Sequence, residues 1–157
     1  MSVNPQTISS EQQATITTCI LAEPRGQQYA NAILLTVETG LRAGELASLK
    51  WENIECGSFV RVESRAGKRT IPLSPSAVAA LSSQRQFTGS SPYVFGGNAP
   101  AFVNAARRAF SKAAASTGLK GLRWYSLRHT FACRMVMAGI SPIALFDVLG
   151  LKARRLV

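Results

Sequence analysis

The spacing of apolar residues in the first third of the chain predicts three helices. EQQATITTCILA, preceded by Ser9 or Ser10, is typical of an N-capped helix, and Glu11 lies in its first turn, where the helix dipole favours negative charge. GQQYANAILLTVETG predicts a second, largely apolar helix that ends at Gly40, the position of a C-terminal glycine cap. LRAGELASLKWENI predicts a third helix. Its expected inward-facing residues are Leu46, Leu49, Trp51 and Ile54.

After Cys56 and Gly57 the spacing of apolar residues changes from a helical pattern to strict alternation. SFVRVESRAGKRTIPL alternates apolar and polar residues on both sides of RAGK, which predicts a β-hairpin. The expected strand residues are Phe59, Val60 and Val62 on one side and Ile71 on the other. The PSAVAALSSQR segment predicts a helix that begins at Pro75, and TGSSPYVFGGNAP is irregular with one short extended piece, Tyr93 to Phe95.

Three more helices are expected in the last third of the chain. The alanine-rich AFVNAARRAFSKAAAS predicts a helix that ends at Gly118, and WYSLRHTF opens another that runs to about Gly139. A last helix is expected from Ser141 or Pro142 to Gly150. Since no repeat or low-complexity linker interrupts these elements, the chain is expected to form a single α+β domain, mainly helical, with a small antiparallel hairpin or sheet.

The composition excludes several classes of protein. A chain of 157 residues that is 46% hydrophobic can bury a core of its own. Cys19, Cys56 and Cys133 are far apart and have no metal-ligand spacing, so neither disulfides nor a zinc site are expected. No secretion signal or membrane-length apolar run is visible, which predicts a cytoplasmic protein without membrane contact.

Charge is distributed unevenly along the chain. Residues 1–55 hold three basic and six acidic residues, a balance of −3, whereas residues 56–157 hold fifteen basic and two acidic residues, a balance of +13. Clustered Lys and Arg favour phosphate polyanions because binding releases condensed counterions. The alternative is a charge that only keeps the protein soluble.

Three basic groups are candidates for phosphate chemistry. Arg42 and Glu45 lie three residues apart on a predicted helix, so the carboxylate could orient the guanidinium; otherwise they are an ordinary surface pair. The predicted hairpin tip holds further cations, which could enter a DNA groove or protonate a phosphate oxygen, or could belong to a solvated turn. These are Arg65, Lys68 and Arg69.

The third group is WYSLRHTF with the arginine before it. Arg128 offers a planar fork that matches two phosphate oxygens, and His129 titrates near neutral pH and could exchange a proton. Tyr125 opens the segment. Arg123 lies just upstream, and Arg61 on the preceding hairpin strand completes the expected set of DNA contacts.

These motifs together resemble the catalytic domain of the tyrosine recombinases, the phage integrase family. TGLRAGELASLKWENI resembles the family's first arginine box, ESRAGKRTIPLS its lysine-bearing hairpin, and YSLRHTFACRMVMAGISPIALFDVLG its second arginine box. The resemblance implies that Arg42 and Arg128 clamp a DNA phosphate, with Glu45 and His129 in support. It implies a tyrosine that forms a 3′-phosphotyrosyl link, a lysine that protonates the departing 5′ oxygen, and no metal or other cofactor.

Four positions depart from the family pattern. Tyr125 stands where the family has histidine, and a phenol exchanges protons poorly at neutral pH. Arg65 stands in the lysine's place, and Lys68 fits it only with the loop one residue out of register. Leu151 replaces a histidine or tryptophan, and no tyrosine follows it.

The resemblance therefore implies that residues 1–157 form a tyrosine-recombinase catalytic domain, of phage or mobile-element origin, without the N-terminal core-binding domain or the C-terminal tyrosine segment. We expect it to bind duplex DNA but not to cut it unaided. One alternative is a non-catalytic DNA-binding or recombination-modulating protein. Another is a site completed by a tyrosine from a full-length recombinase or a second copy, docked through the last helix. A basic structural domain without a DNA role is a third.

Overall fold

A computed structural model describes residues 7–64 and 67–151, so Arg65 lies outside the described residues. The helices in these ranges are α1 Ser10–Leu21, α2 Gly26–Thr39, α3 Ala43–Ser48, α4 Pro75–Thr88, α5 Ala99–Ser116, α6 Trp124–Met137 and α7 Pro142–Leu149. The strands are β1 Ile54–Glu55, β2 Phe59–Ser64 and β3 Gly67–Pro72. The predicted fold, mainly helical with a small antiparallel sheet, is confirmed.

Local sequence signals set the helix ends as predicted. The Ser9 hydroxyl accepts a hydrogen bond from the Gln12 backbone N–H at 3.1 Å, and the Gln12 side chain accepts one from the Ser9 N–H at 2.9 Å. Gly40 ends α2 in the left-handed conformation, with φ of +70°. Ser141 caps α7 through a hydrogen bond from the Ala144 N–H at 3.3 Å.

The third predicted helix was wrong in its length. α3 ends at Ser48, and the next residues form an extended step, a short 3₁₀ helix at Trp51–Asn53 and strand β1. The Leu49 carbonyl accepts from the Val94 N–H at 3.0 Å, and the Trp51 N–H donates to the Pro92 carbonyl at 2.9 Å. Because these backbone groups pair with a distant segment, they do not continue the helical ladder.

The sheet has the order β1-β2-β3 with antiparallel pairing throughout. Val60 lies opposite Ile71, and Val62 lies opposite Arg69. Val60, Val62 and Ile71 are buried, as the alternating pattern predicted. Since alternate residues share a face, Arg69 lies on the core-facing side of β3 with Ile71, whereas Lys68 lies on the other side.

Helix α2 lies at the centre of the helical layer. It packs against α1, α4, α5 and α6, and its Ile33, Leu35 and Val37 belong to the main core. A smaller apolar cluster of Phe131, Leu145 and Leu149 joins α6 to α7. Among the helices of residues 7–64 and 67–151, none has the length and apolar character that a membrane crossing needs.

Candidate functional site

The turn after α2 places Arg42 at the surface. Gly40 adopts its positive φ, and Arg42 follows two residues later as the N-cap of α3. A Cβ at Gly40 would lie 2.5 Å from Cδ1 of Phe131, so the turn also requires glycine for lack of space. The Arg42 side chain remains 42% exposed. This arginine is therefore accessible to a ligand.

Arg128 lies beneath the same turn. It is 5% exposed on α6. One of its terminal nitrogens donates to the Gly40 carbonyl at 2.5 Å and the other to the Leu149 carbonyl at 2.6 Å. These bonds join the ends of α2 and α7 to α6, and they hold the guanidinium in one orientation. The fold thus brings together Arg42 and Arg128, which are 86 positions apart in the chain.

Positive charge accumulates around Arg128. Burial, with the neighbouring charge of Arg42, lowers the pKa of Arg128 to about 10, while Glu45 acts in the opposite direction. Arg128 is still protonated at neutral pH. A fixed, partly desolvated guanidinium beside a second, exposed one is an arrangement that favours an anion with several oxygen atoms.

The main partner of Glu45 is Arg69. The two terminal nitrogens of Arg69 donate to the two carboxylate oxygens at 2.7 and 2.9 Å, and its Nε donates to the Val148 carbonyl at 2.7 Å. Both side chains are 8% exposed. Glu45 also accepts from the backbone N–H of Arg42 at 2.9 Å, but the Arg42 guanidinium is 3.9 Å away. Glu45 therefore orients the Arg42 main chain, and Arg69 links α3 to α7.

This arrangement differs from the sequence interpretation of Arg69 as a DNA contact. Its guanidinium donates hydrogen bonds to Glu45 and to the backbone of α7. The alternation of residues along β3 indicates this inward position, because it places Arg69 on the same face as the buried Ile71.

The Glu45 carboxyl remains ionised because of these arginines. Burial alone would raise its pKa, but the hydrogen bonds from Arg69 and the Arg42 backbone, with the charges of both arginines, outweigh burial. The pKa of Glu45 is therefore lower than its ordinary value.

The structure places the other candidates around this cluster. Tyr125 is 67% exposed and lies three residues before Arg128 on α6. Lys68 is exposed and lies 3.6 Å from Glu63 on the neighbouring strand. It lines a cavity of about 210 Å³ between the hairpin and α7, next to Asp147.

The remaining three candidates lie outside the hydrogen-bonded cluster. Arg61 pairs with Glu55 at 2.6 Å. His129 is half-buried, with its Nε2 3.6 Å from Sγ of Cys133. Arg123 is exposed at the N-cap of α6.

Comparison with known proteins gives consistent matches. The model of the phage integrase family matches residues 6–156. The chain is 28% identical to tyrosine recombinase XerC of Xanthomonas campestris pv. campestris (strain B100), covering 93% of this chain and 48% of the relative. It is 25% identical to prophage integrase IntR of Escherichia coli K12, covering 87% and 43%. The chain thus spans about half the length of these curated relatives.

Solved structures share the fold. The match to the lambda integrase catalytic core has a TM-score of 0.73 at 24% identity, and it covers 95% of this chain and 94% of the lambda integrase core. The Tn1549 transposon integrase was solved in complex with circular intermediate DNA. Its match has a TM-score of 0.80 at 18% identity, and it covers 97% of this chain and 61% of the integrase chain. Family model and fold agree, and the chain therefore belongs to the phage integrase family, as a catalytic domain of the tyrosine recombinases.

Proposed function

We propose that this domain binds duplex DNA and clamps one backbone phosphate between Arg42 and Arg128. The observation that carries the proposal is the fixed, buried Arg128 beneath an exposed Arg42. Arg42 supplies the accessible fork, and Arg128 supplies charge at a fixed position. The DNA-bound state of the Tn1549 integrase, which shares the fold, adds support.

Other residues take supporting roles in this proposal. Glu45 and Arg69 hold the Arg42 backbone and the end of α7 in place. The exposed phenol of Tyr125 donates a hydrogen bond to the clamped phosphate, in the place where the family has histidine. Lys68, on the exposed face of β3, and Arg65 are the two candidates for contact with the 5′ side of that phosphate.

We further propose that the 157-residue chain does not cleave DNA unaided. The chain has three tyrosines. Tyr29 packs against the Phe102 ring at 5.3 Å, and Tyr93 lies beneath the ammonium group of Lys50 at 5.6 Å. Tyr125 is exposed, but it shares α6 with Arg128, and in this proposal its phenol donates a hydrogen bond to the clamped phosphate. Cleavage then requires a tyrosine that is not among these three.

A surface for a partner chain is available on the last two helices. Met137 near the end of α6 and Ile143 and Phe146 on α7 are exposed apolar side chains. Their exposure supports association with a second copy or with a full-length recombinase through this end of the domain.

A binding assay tests the phosphate clamp. Arg42→Ala removes an exposed side chain without changing the core, and it should weaken duplex binding and lower the slope of log affinity against log salt by about one. Arg128→Lys keeps the charge but cannot hold both the Gly40 and the Leu149 carbonyls, so the charge is no longer fixed beneath Arg42 and binding should weaken as well. Arg85→Ala is the matched control, because Arg85 is exposed and lies over the Trp51 ring. Equal losses for Arg42→Ala and Arg85→Ala would contradict the clamp.

A covalent-trapping assay tests the absence of cleavage. The protein is incubated with nicked duplex DNA, and denaturing gels are examined for a protein–DNA adduct. We expect none. An adduct that forms with the wild-type chain and disappears in Tyr125→Phe would overturn the proposal and identify Tyr125 as the nucleophile.

A further inference from the structure

Helix α6 carries a histidine and a cysteine one helical turn apart. His129 is the only histidine of the chain, and Cys133 follows it by four residues. Residues four apart on a helix share one face. The Nε2 atom of His129 lies 3.6 Å from the Sγ atom of Cys133, and both side chains are half-buried. Neither side chain belongs to the hydrogen-bonded cluster around Arg42 and Arg128.

The face of α6 that holds this pair is open to solvent. Tyr125, one turn before His129, is 67% exposed, and Val136, about one turn after Cys133, is 56% exposed. These four positions follow one another at four- and three-residue spacing, so they lie along one side of the helix. A ligand from solvent can therefore approach Nε2 and Sγ from outside.

The neighbouring arginines of α6 have partners elsewhere. Arg128 is 5% exposed and donates to backbone carbonyls at the ends of α2 and α7. Arg134 donates to the Ile8 carbonyl at 3.4 Å and to the side chain of Gln13 at 3.0 Å. At 3.6 residues per turn, both arginines leave the helix on other sides than the pair. Neither guanidinium is therefore directed at the imidazole or the thiol.

The separation of the two atoms suits a single metal ion. Zinc binds cysteine sulfur at about 2.3 Å and histidine nitrogen at about 2.0–2.1 Å, with tetrahedral geometry. Two such ligands of one ion are then about 3.5–3.6 Å apart. The observed separation of 3.6 Å agrees with this value. Imidazole and thiolate are both ligands that zinc and similar transition metals prefer. The alternative is a hydrogen bond between the thiol and the ring.

We propose that His129 and Cys133 bind one divalent transition-metal ion, of which zinc is the type. Nε2 of the neutral imidazole and Sγ of the thiolate are the two protein ligands. The thiol releases its proton to solvent as the metal binds. Among residues 7–64 and 67–151, no group of three His, Cys, Asp or Glu side chains is placed to hold a metal, so water fills the other coordination positions.

This proposal departs from the sequence-based expectation of no zinc site. The four-residue spacing supplies two ligands of an open site, and not the four of a closed structural site. The two ligands are in place only when residues 129–133 are helical. Binding should therefore stabilise α6 and raise the Tm of the domain. The site is independent of the proposed DNA binding, and either proposal can fail without the other.

Protection from alkylation tests the site in the wild-type chain. Iodoacetamide modifies free thiols, and mass spectrometry measures the modification of each cysteine separately. Zinc chloride at ten times its Kd should slow the modification of Cys133 about tenfold, because only the metal-free thiol reacts. Cys19 is half-buried and Cys56 is exposed, and both serve as internal controls whose rates should not change. An unchanged rate at Cys133, or equal protection of all three cysteines, would overturn the site.

Cobalt(II) reports on the two ligands directly. In the variant C19S/C56S, Cys133 is the only thiol, and Co²⁺ bound to its thiolate should give a sulfur-to-cobalt charge-transfer band in the near ultraviolet. Adding H129Q should weaken cobalt binding at least about tenfold, since loss of even an outer-shell partner costs roughly 10–100-fold. Adding C133S should abolish the band. A C19S/C56S protein without the band, or a band that H129Q leaves unchanged, would refute the proposed pair.

Discussion

Breaking the Glu45–Arg69 ion pair should cost much of the stability of this domain. Both side chains are 8% exposed, and two hydrogen bonds of 2.7 and 2.9 Å join them. The charge of Arg42 also lowers the pKa of Glu45, and the charge of Glu45 raises the pKa of Arg128. Glu45→Gln therefore removes the negative charge that Arg42, Arg69 and Arg128 share. Loss of one partner from a buried pair costs about 3–5 kcal/mol. In a domain of this size, that lowers Tm by roughly 6–20 °C.

Removal of both charges should be less harmful than removal of one. Glu45→Gln with Arg69→Met replaces the pair by neutral side chains of similar size, so no unpaired charge stays buried. The double variant should therefore be more stable than Glu45→Gln alone. The coupling energy between the two positions is expected to be about 2–3 kcal/mol.

Urea unfolding of the wild type, both single variants and the double variant measures this coupling. Glu55→Gln is the control, because the Arg61–Glu55 pair is equally short at 2.6 Å but 40% and 41% exposed. That substitution should cost less than about 1 kcal/mol. Additive costs at positions 45 and 69, or a cost of Glu45→Gln no greater than that of Glu55→Gln, would refute the reasoning.

Two more predictions concern the same part of the molecule. Because the pKa of Glu45 is lower than its ordinary value of 4.5, the stability that the carboxylate contributes is complete above that value and lost as pH falls through the folded-state pKa. Unfolding free energies measured across the acid range should fall more steeply for the wild type than for Glu45→Gln; parallel profiles would contradict this. Gly40→Ala should destabilise the fold by more than about 1–2 kcal/mol, because the left-handed backbone cost adds to the contact with Phe131. Gly57→Ala is the matched control, because Gly57 has a φ of +62° and open space where a Cβ would lie. Equal losses of Tm for the two variants would show that the contact with Phe131 contributes nothing to the cost at Gly40.

The sequence alone determined most of the secondary structure and the family. Ser9 and Ser141 begin helices and Gly40 ends one through contacts within a single turn, so local patterns suffice to place these boundaries. The alternation on both sides of the hairpin likewise assigned Val60 and Val62 to one strand and Ile71 to the other, and the structure pairs Val60 with Ile71. Arg42 and Arg128 were found as members of two motifs whose order and spacing resemble one family.

Only the tertiary structure decided how these side chains are partnered. α3 ends early because Leu49 and Trp51 bond to residues 92–94, which no local pattern indicates. Arg69 meets Glu45 across 24 positions, and Arg128 meets the Gly40 carbonyl across 88. A cavity lined by Arg107, Arg108 and Arg123 likewise exists only where α5 passes the beginning of α6. Hydrogen bonds and ion pairs act over a few ångströms, so distant residues become partners only after the chain has folded.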